Sequence, residues 1–333
     1  MMNHSLKNLC KVIPGTIISG KWHGKHYQIV KELGFGANGV VYLAKHLNTQ
    51  VALKMSDNGM SITSEVNVLK SFAKVQGSTL GPSLLDVDDW ISDRGRISFY
   101  VMEYIQGPDL LTFLQQKGAS WMPVLFLQLL SDLEVLHQNG WVFGDLKPEN
   151  LIVTGPPPKI RCIDVGGTTI QGRAIKEFTE FYDRGYWELG TRRAEPTYDL
   201  FAVAMIMINT VYPKRFNKTT GGLSQLREAI RQKPELSRFN QVIVKALQGH
   251  YKAASEMRRD LLEAISDKPR QGHVSAQTAK PKVQSNQPGQ KASQSLTRQT
   301  YRKKKKKNGW TEFFIIAFVI GLLYFLYIFI KLL

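Results

Sequence analysis

Residues 142–150 read Val142-Phe143-Gly144-Asp145-Leu146-Lys147-Pro148-Glu149-Asn150, and Asp164-Val165-Gly166 follows fourteen residues after Asn150. Phosphoryl transfer to an alcohol needs a carboxylate to accept the hydroxyl proton, a cation against the developing charge, and oxygen ligands for a divalent metal. This stretch holds all three. Asp145 is the expected base, Lys147 the expected neutraliser of a γ-phosphate, and Asn150 with Asp164 the expected metal ligands.

Two upstream segments fit the same chemistry. Gly34-Phe35-Gly36-Ala37-Asn38-Gly39-Val40-Val41 lies between two strand patterns. Its glycines would let backbone N–H groups approach phosphate oxygens without Cβ interference. A glycine-rich hairpin turn is the plain alternative for that run alone. Val51-Ala52-Leu53-Lys54 then places a lysine inside an apolar strand, where an unpaired ammonium is costly. Glu65, on the helical stretch Ser61–Lys74 that buries Val66, Leu69 and Phe72 on one face, is its expected partner.

Gly loop, strand lysine, helix glutamate, catalytic loop and D-x-G occur here in one order, and over residues 28–265 that order resembles the Hanks-type, or eukaryotic-like, protein kinases. The resemblance implies an α+β, bilobal fold with a small β-rich N-lobe and a larger helical C-lobe. It implies ATP and Mg²⁺, or Mn²⁺, as cofactors, and protein substrates, the enzyme itself included. Nucleotide contacts carry over to Leu33, Gly34, Gly36, Gly39, Val41, Ala52, Lys54 and Glu65. Glu103 falls where the hinge receives adenine, and Asp109 where the family often contacts the ribose. Lys147, two residues after Asp145, is the form of the serine/threonine branch, and Asp199 matches a helix aspartate that braces the catalytic loop.

Three positions depart from the family pattern. Phe143-Gly144-Asp145 stands where His-Arg-Asp is usual, so the arginine that clamps an activation-loop phosphate is missing and loop phosphorylation is not expected to be the main switch. Asp164-Val165-Gly166 puts a smaller residue where Phe is usual, and Phe143 is expected to compensate in volume. Ala194-Glu195-Pro196 replaces Ala-Pro-Glu, which leaves its stabilising glutamate open. A pseudokinase scaffold is the alternative reading, opposed by the intact Lys54, Asp145, Asn150 and Asp164.

Composition bounds the rest. The chain has 333 residues, 43% of them hydrophobic, and two cysteines without metal-ligand spacing, which excludes a disulfide scaffold and a zinc site. No secretory signal is expected in MMNHSLKNLCKVIPG, which lacks an uninterrupted apolar stretch. Most of the net charge of +17 comes from residues 268–307, which carry twelve Lys or Arg and no acidic residue. Residues 313–330, FFIIAFVIGLLYFLYIFI, are uncharged, and as a helix would rise about 27 Å.

The expected organisation is therefore an N-terminal extension over 1–27, a kinase domain over 28–265, a basic disordered linker over 266–309 and a transmembrane helix over 310–331. The basic run 302–307 next to that helix puts the kinase domain in the cytoplasm of a membrane-anchored protein. The same charge suits anionic lipid or, without sequence preference, DNA, and a membrane-tethered DNA-binding protein is the other alternative. Ala317 and Gly321 have the spacing that would pack two membrane helices into a homodimer, although chance also produces it.

Overall fold

A computed structural model describes residues 9–36, 39–74, 80–93, 95–219 and 221–266. All belong to the first of the chain's two units, Met1–His273. The expected linker beyond Ser266 and the expected transmembrane helix lie outside the described residues. Among those described, no helix is long and apolar enough to cross a membrane.

Six antiparallel strands open the domain: β1 (Ile17–Ser19), β2 (His26–Gly36), β3 (Gly39–His46), β4 (Thr49–Ser56), β5 (Leu84–Ser92) and β6 (Gly95–Glu103), in the order β1-β2-β3-β4-β6-β5. Strand alternation sorts their side chains between two cores. Val51, Leu53 and Met55 of β4, with Ile97, Phe99 and Val101 of β6, join Tyr27 and Tyr42 in a core inside the sheet. Ala52, Lys54, Tyr100 and Met102 therefore point to the other face, where helix α1 (Gly59–Lys74) packs and the cleft begins.

The sheet begins before residue 28, where the first strand was expected. β1 pairs with β2, Cys10 is buried in the sheet core, and the Tyr42 hydroxyl donates to the Cys10 carbonyl at 2.9 Å. Residues 10–27 are thus built into the N-lobe. A three-residue strand with one inward side chain, Ile18, gives too short an alternation to read from sequence.

The second lobe is mostly helical. It holds α2 (Leu110–Lys117), α3 (Trp121–Gln138), α4 (Pro196–Val211), α5 (Gly222–Arg231), α6 (Pro234–Ser237), α7 (Asn240–Leu247) and α8 (Ala254–Ser266). Four short strands, β7 (Trp141–Val142), β8 (Leu151–Thr154), β9 (Lys159–Cys162) and β10 (Thr169–Ile170), form two antiparallel pairs, β7–β10 and β8–β9. The apolar run in α4 is the lobe's centre, with every residue from Tyr198 to Asn209 buried. Each fully buried Leu, Ile or Met there contributes roughly 1.5–3 kcal/mol.

Candidate active site

A cleft of about 380 Å³ opens at the edge of the six-stranded sheet. Leu33, Gly34, Gly36, Gly39, Val41, Ala52, Lys54, Glu103, Asn150 and Asp164 line it, so ten of the residues singled out in the sequence converge on one space. Apolar walls come from β2–β4 on one side and from Ile152 and Ile163 on the other. Ile152 and Ile163 belong to the β8–β9 region that flanks Asn150 and Asp164.

Lys54 meets Glu65 as its strand position required. Its Nζ donates to Glu65 Oε2 at 2.7 Å, and both side chains are buried. The Tyr100 hydroxyl donates to the same oxygen at 2.7 Å, and Ser61 Oγ reaches Oε1 at 3.4 Å. Burial first, and then the Glu65 carboxylate, push the Tyr100 phenol well above its ordinary pKa, so it keeps its proton and donates.

Below the cleft, the catalytic loop runs from β7 through a short 3₁₀ turn at Pro148–Asn150. Lys147 Nζ donates to Asp145 Oδ2, and Thr179 Oγ1 donates to Asp145 Oδ1 at 3.1 Å. Lys147 also lies 3.4 Å from Thr179 Oγ1, so the three side chains close a triangle. Asn150 Nδ2 donates to the Asp145 carbonyl at 3.3 Å, and Asp164 accepts from Gly166 N at 3.0 Å. The loop itself hangs on Asp199, which accepts from the backbone N–H groups of Phe143 (2.7 Å) and Gly144 (2.9 Å) and from His137 Nε2 (2.9 Å). Asp199 is fully buried and acts as the expected brace, while the residue before the helix is Glu195.

Two of the expected nucleotide contacts, Asp109 and Glu103, also carry structural bonds of their own. Asp109 does not line the cleft; its carboxylate caps α2, accepting from Thr112 N at 3.0 Å and Thr112 Oγ1 at 2.6 Å. Glu103 lines the cleft, but its carboxylate is turned onto Arg161, with two N–H···O contacts of 2.9 Å, and accepts from Ser83 N. The guanidinium holds the Glu103 carboxyl below its usual range, and only the backbone at 103 is left for a base.

Sequence reasoning missed Tyr100, Met102, Ile105 and Glu177 as lining residues, and Thr179 as a partner of Asp145. Met102 and Ile105 flank Glu103 in one strand pattern and could have been read with it. Thr179 lies 34 residues from Asp145, and no local pattern announces the pairing. Phe143 and Val165 share one buried cluster with Leu69 and Phe72, and Glu195 pairs with Arg184 at 3.3 Å despite the altered spelling.

The protein kinase domain family matches residues 27–282, and the chain belongs to that family. It is therefore a protein kinase, an enzyme that uses ATP and a divalent metal to phosphorylate proteins. The chain is 53% identical over 340 residues, covering 98% of both chains, to the serine/threonine-protein kinase YabT of Bacillus subtilis (strain 168). A probable serine/threonine-protein kinase of Clostridium perfringens is 30% identical over 141 residues, which cover 40% of this chain and 20% of that protein. Vaccinia related kinase 3 superposes with a TM-score of 0.58 at 16% identity, covering 78% of this chain and 93% of that one, and shares the fold.

Proposed function

We propose that the chain is a serine/threonine kinase anchored in the cell membrane by residues 310–331, with its catalytic domain in the cytoplasm. The observation that carries the chemistry is the Asp145–Lys147–Thr179 triangle at the floor of a cleft roofed by the Lys54–Glu65 pair.

The donor set fits a metal nucleotide. Apolar side chains such as Val41, Ala52 and Ile163 suit a flat base, while Lys54, Asn150 and Asp164 suit phosphates with a hard cation. We assign ATP with Mg²⁺, Mn²⁺ being the alternative; bound there, they supply a transferable γ-phosphoryl group with its charge partly neutralised. Lys54, fixed by Glu65, would hold the nucleotide phosphates, and Asn150 and Asp164 would hold the metal. Asp145 accepts the proton of the incoming hydroxyl. Lys147 keeps positive charge beside it, and the Thr179 O–H fixes its orientation. Phosphoamino-acid analysis of labelled substrate tests the class: label on serine or threonine supports it, and label confined to tyrosine overturns it.

The eighteen uncharged residues 313–330 and the basic run beside them support the membrane anchor and its orientation. The twelve Lys or Arg of residues 268–307, with no acidic residue among them, support binding to a polyanion, DNA or anionic lipid, that regulates activity. Contact with six to ten phosphates implies that affinity for DNA falls by roughly 10³–10⁵ between 50 and 200 mM salt. Gel shift of the full chain and of a form lacking 268–307 tests this. Equal binding by both forms would end the idea.

A further inference from the structure

Glu65 Oε2 accepts two hydrogen bonds, and only one of them comes from the lysine that the kinase signature demands. The other comes from Tyr100, which lies directly opposite Lys54 in the β4–β6 register, so both donors leave adjacent strands toward one oxygen on α1. Tyr100 is 2% exposed. A residue needed only to fill that space could be Phe, since a buried phenol must find a partner for its O–H. Resting on the reading of Lys54 and Glu65 as the phosphate-positioning pair, we infer that Tyr100 is a positioning residue for phosphoryl transfer: its hydroxyl latches α1 to the sheet and holds Glu65 where it orients Lys54.

The latch is neutral, so it holds while the Lys54 ammonium divides its hydrogen bonds between Glu65 and a phosphate. An ion pair alone would loosen α1 at that moment. Tyr100 leaves Glu65 one partner that does not move. A second contact reaches the same helix from the segment after Asp164: Lys176 Nζ donates to Ser64 Oγ at 3.2 Å and to the Thr168 carbonyl at 3.2 Å. The helix is thus tied from the sheet and from the activation segment by groups the chain already owns, and none of them is a phosphate.

The test is steady-state kinetics of the full chain in detergent with Tyr100→Phe, beside Tyr42→Phe. Tyr42 is an equally buried tyrosine of the same lobe whose hydroxyl donates to a backbone carbonyl away from the cleft. Losing a hydrogen bond to a charged group whose geometry matters in the transition state lowers kcat about ten- to hundred-fold. The KM for ATP stays within about three-fold, because the cleft wall keeps its shape.

Tyr42→Phe is expected to retain wild-type kcat. In a Glu65→Gln background, Tyr100→Phe is expected to add little, because the latch acts through Glu65. A wild-type kcat in Tyr100→Phe, or equal losses in Tyr100→Phe and Tyr42→Phe, overturns the latch. Asp145→Asn, run in parallel, separates this from the reading beneath it: activity surviving in Asp145→Asn removes the whole catalytic assignment, whereas its loss beside an unaffected Tyr100→Phe removes the latch alone.

Discussion

Gly144 stands where the family carries its phosphate-clamping arginine, and its backbone explains why no arginine is there. Its φ is +85°, in the left-handed region, and a Cβ built on it would lie 2.6 Å from the Gly167 carbonyl oxygen. Gly144→Arg is therefore expected to destabilise the domain by about 1–3 kcal/mol and to lower activity, as thermal unfolding and initial rates would show. The threonines of the activation segment divide by burial. Thr168 and Thr169 are inaccessible, Thr179 is bonded to Asp145, and Thr191 is exposed. Thr191→Ala should keep wild-type rates without any added kinase, because the Asp183–Arg192 pair at 2.6 Å and the Arg184 contacts to the Thr191 carbonyl and Thr197 hydroxyl already hold that segment. Thr179→Ala should lower kcat about ten-fold or more, and Thr179→Ser should restore most of it, since the hydroxyl on Asp145 returns.

At the scale of single elements, β5 shows where sequence reading stops. Its DVDDW places Asp86, Asp88 and Asp89 in a strand and buries all three, where acidic residues normally signal a loop. They are satisfied by a turn some 65 residues away. Asp86 meets Tyr27 Oη at 2.6 Å and His23 Nδ1 at 2.7 Å; Asp88 takes the backbone N–H groups of Trp22 and His23; Asp89 takes Trp22 Nε1 at 2.8 Å.

Burial alone would raise the carboxyls of Asp86 and Asp89, yet these hydrogen bonds outweigh it and hold both below their ordinary values. A lowered folded-state value stabilises the domain above the unfolded-state pKa of about 3.9 and is lost as pH falls through the folded one. Thermal unfolding of the wild type should therefore drop steeply below about pH 4, and Asp86→Asn should flatten that drop. The catalytic loop and glycine run were legible because their chemistry fixes residue types at short spacing. The aspartate staple, Tyr100 and Thr179 were not, because each gains its partner only when distant strands and loops are folded together. Asp109 is ambiguous in the opposite sense, since the residue types that bind a ribose also cap helices. Leu47 has a φ of +53° in the β3–β4 turn and is 86% exposed. Leu47→Asn, better suited to that conformation, should raise stability by up to about 1 kcal/mol, readable as a higher Tm.

Across the whole molecule, the two lobes are joined at the hinge by Arg161 of β9, which grips Glu103 and the Gly81 carbonyl together. The cleft therefore has a fixed back edge, while its roof is the sheet and its floor the catalytic loop. Phosphoryl transfer requires that this single cleft bring an ammonium, a base and metal ligands to one phosphate. The measurement that bears on this most directly is transfer of label from γ-labelled ATP to protein by the full chain, compared with Lys54→Met, Asp145→Asn and Asp164→Asn. Loss of a general base costs roughly 10²–10⁴-fold, and a comparable loss is expected in each variant with the fold intact by circular dichroism. Wild-type transfer in any one of the three would contradict the convergence of these groups on one reacting phosphate.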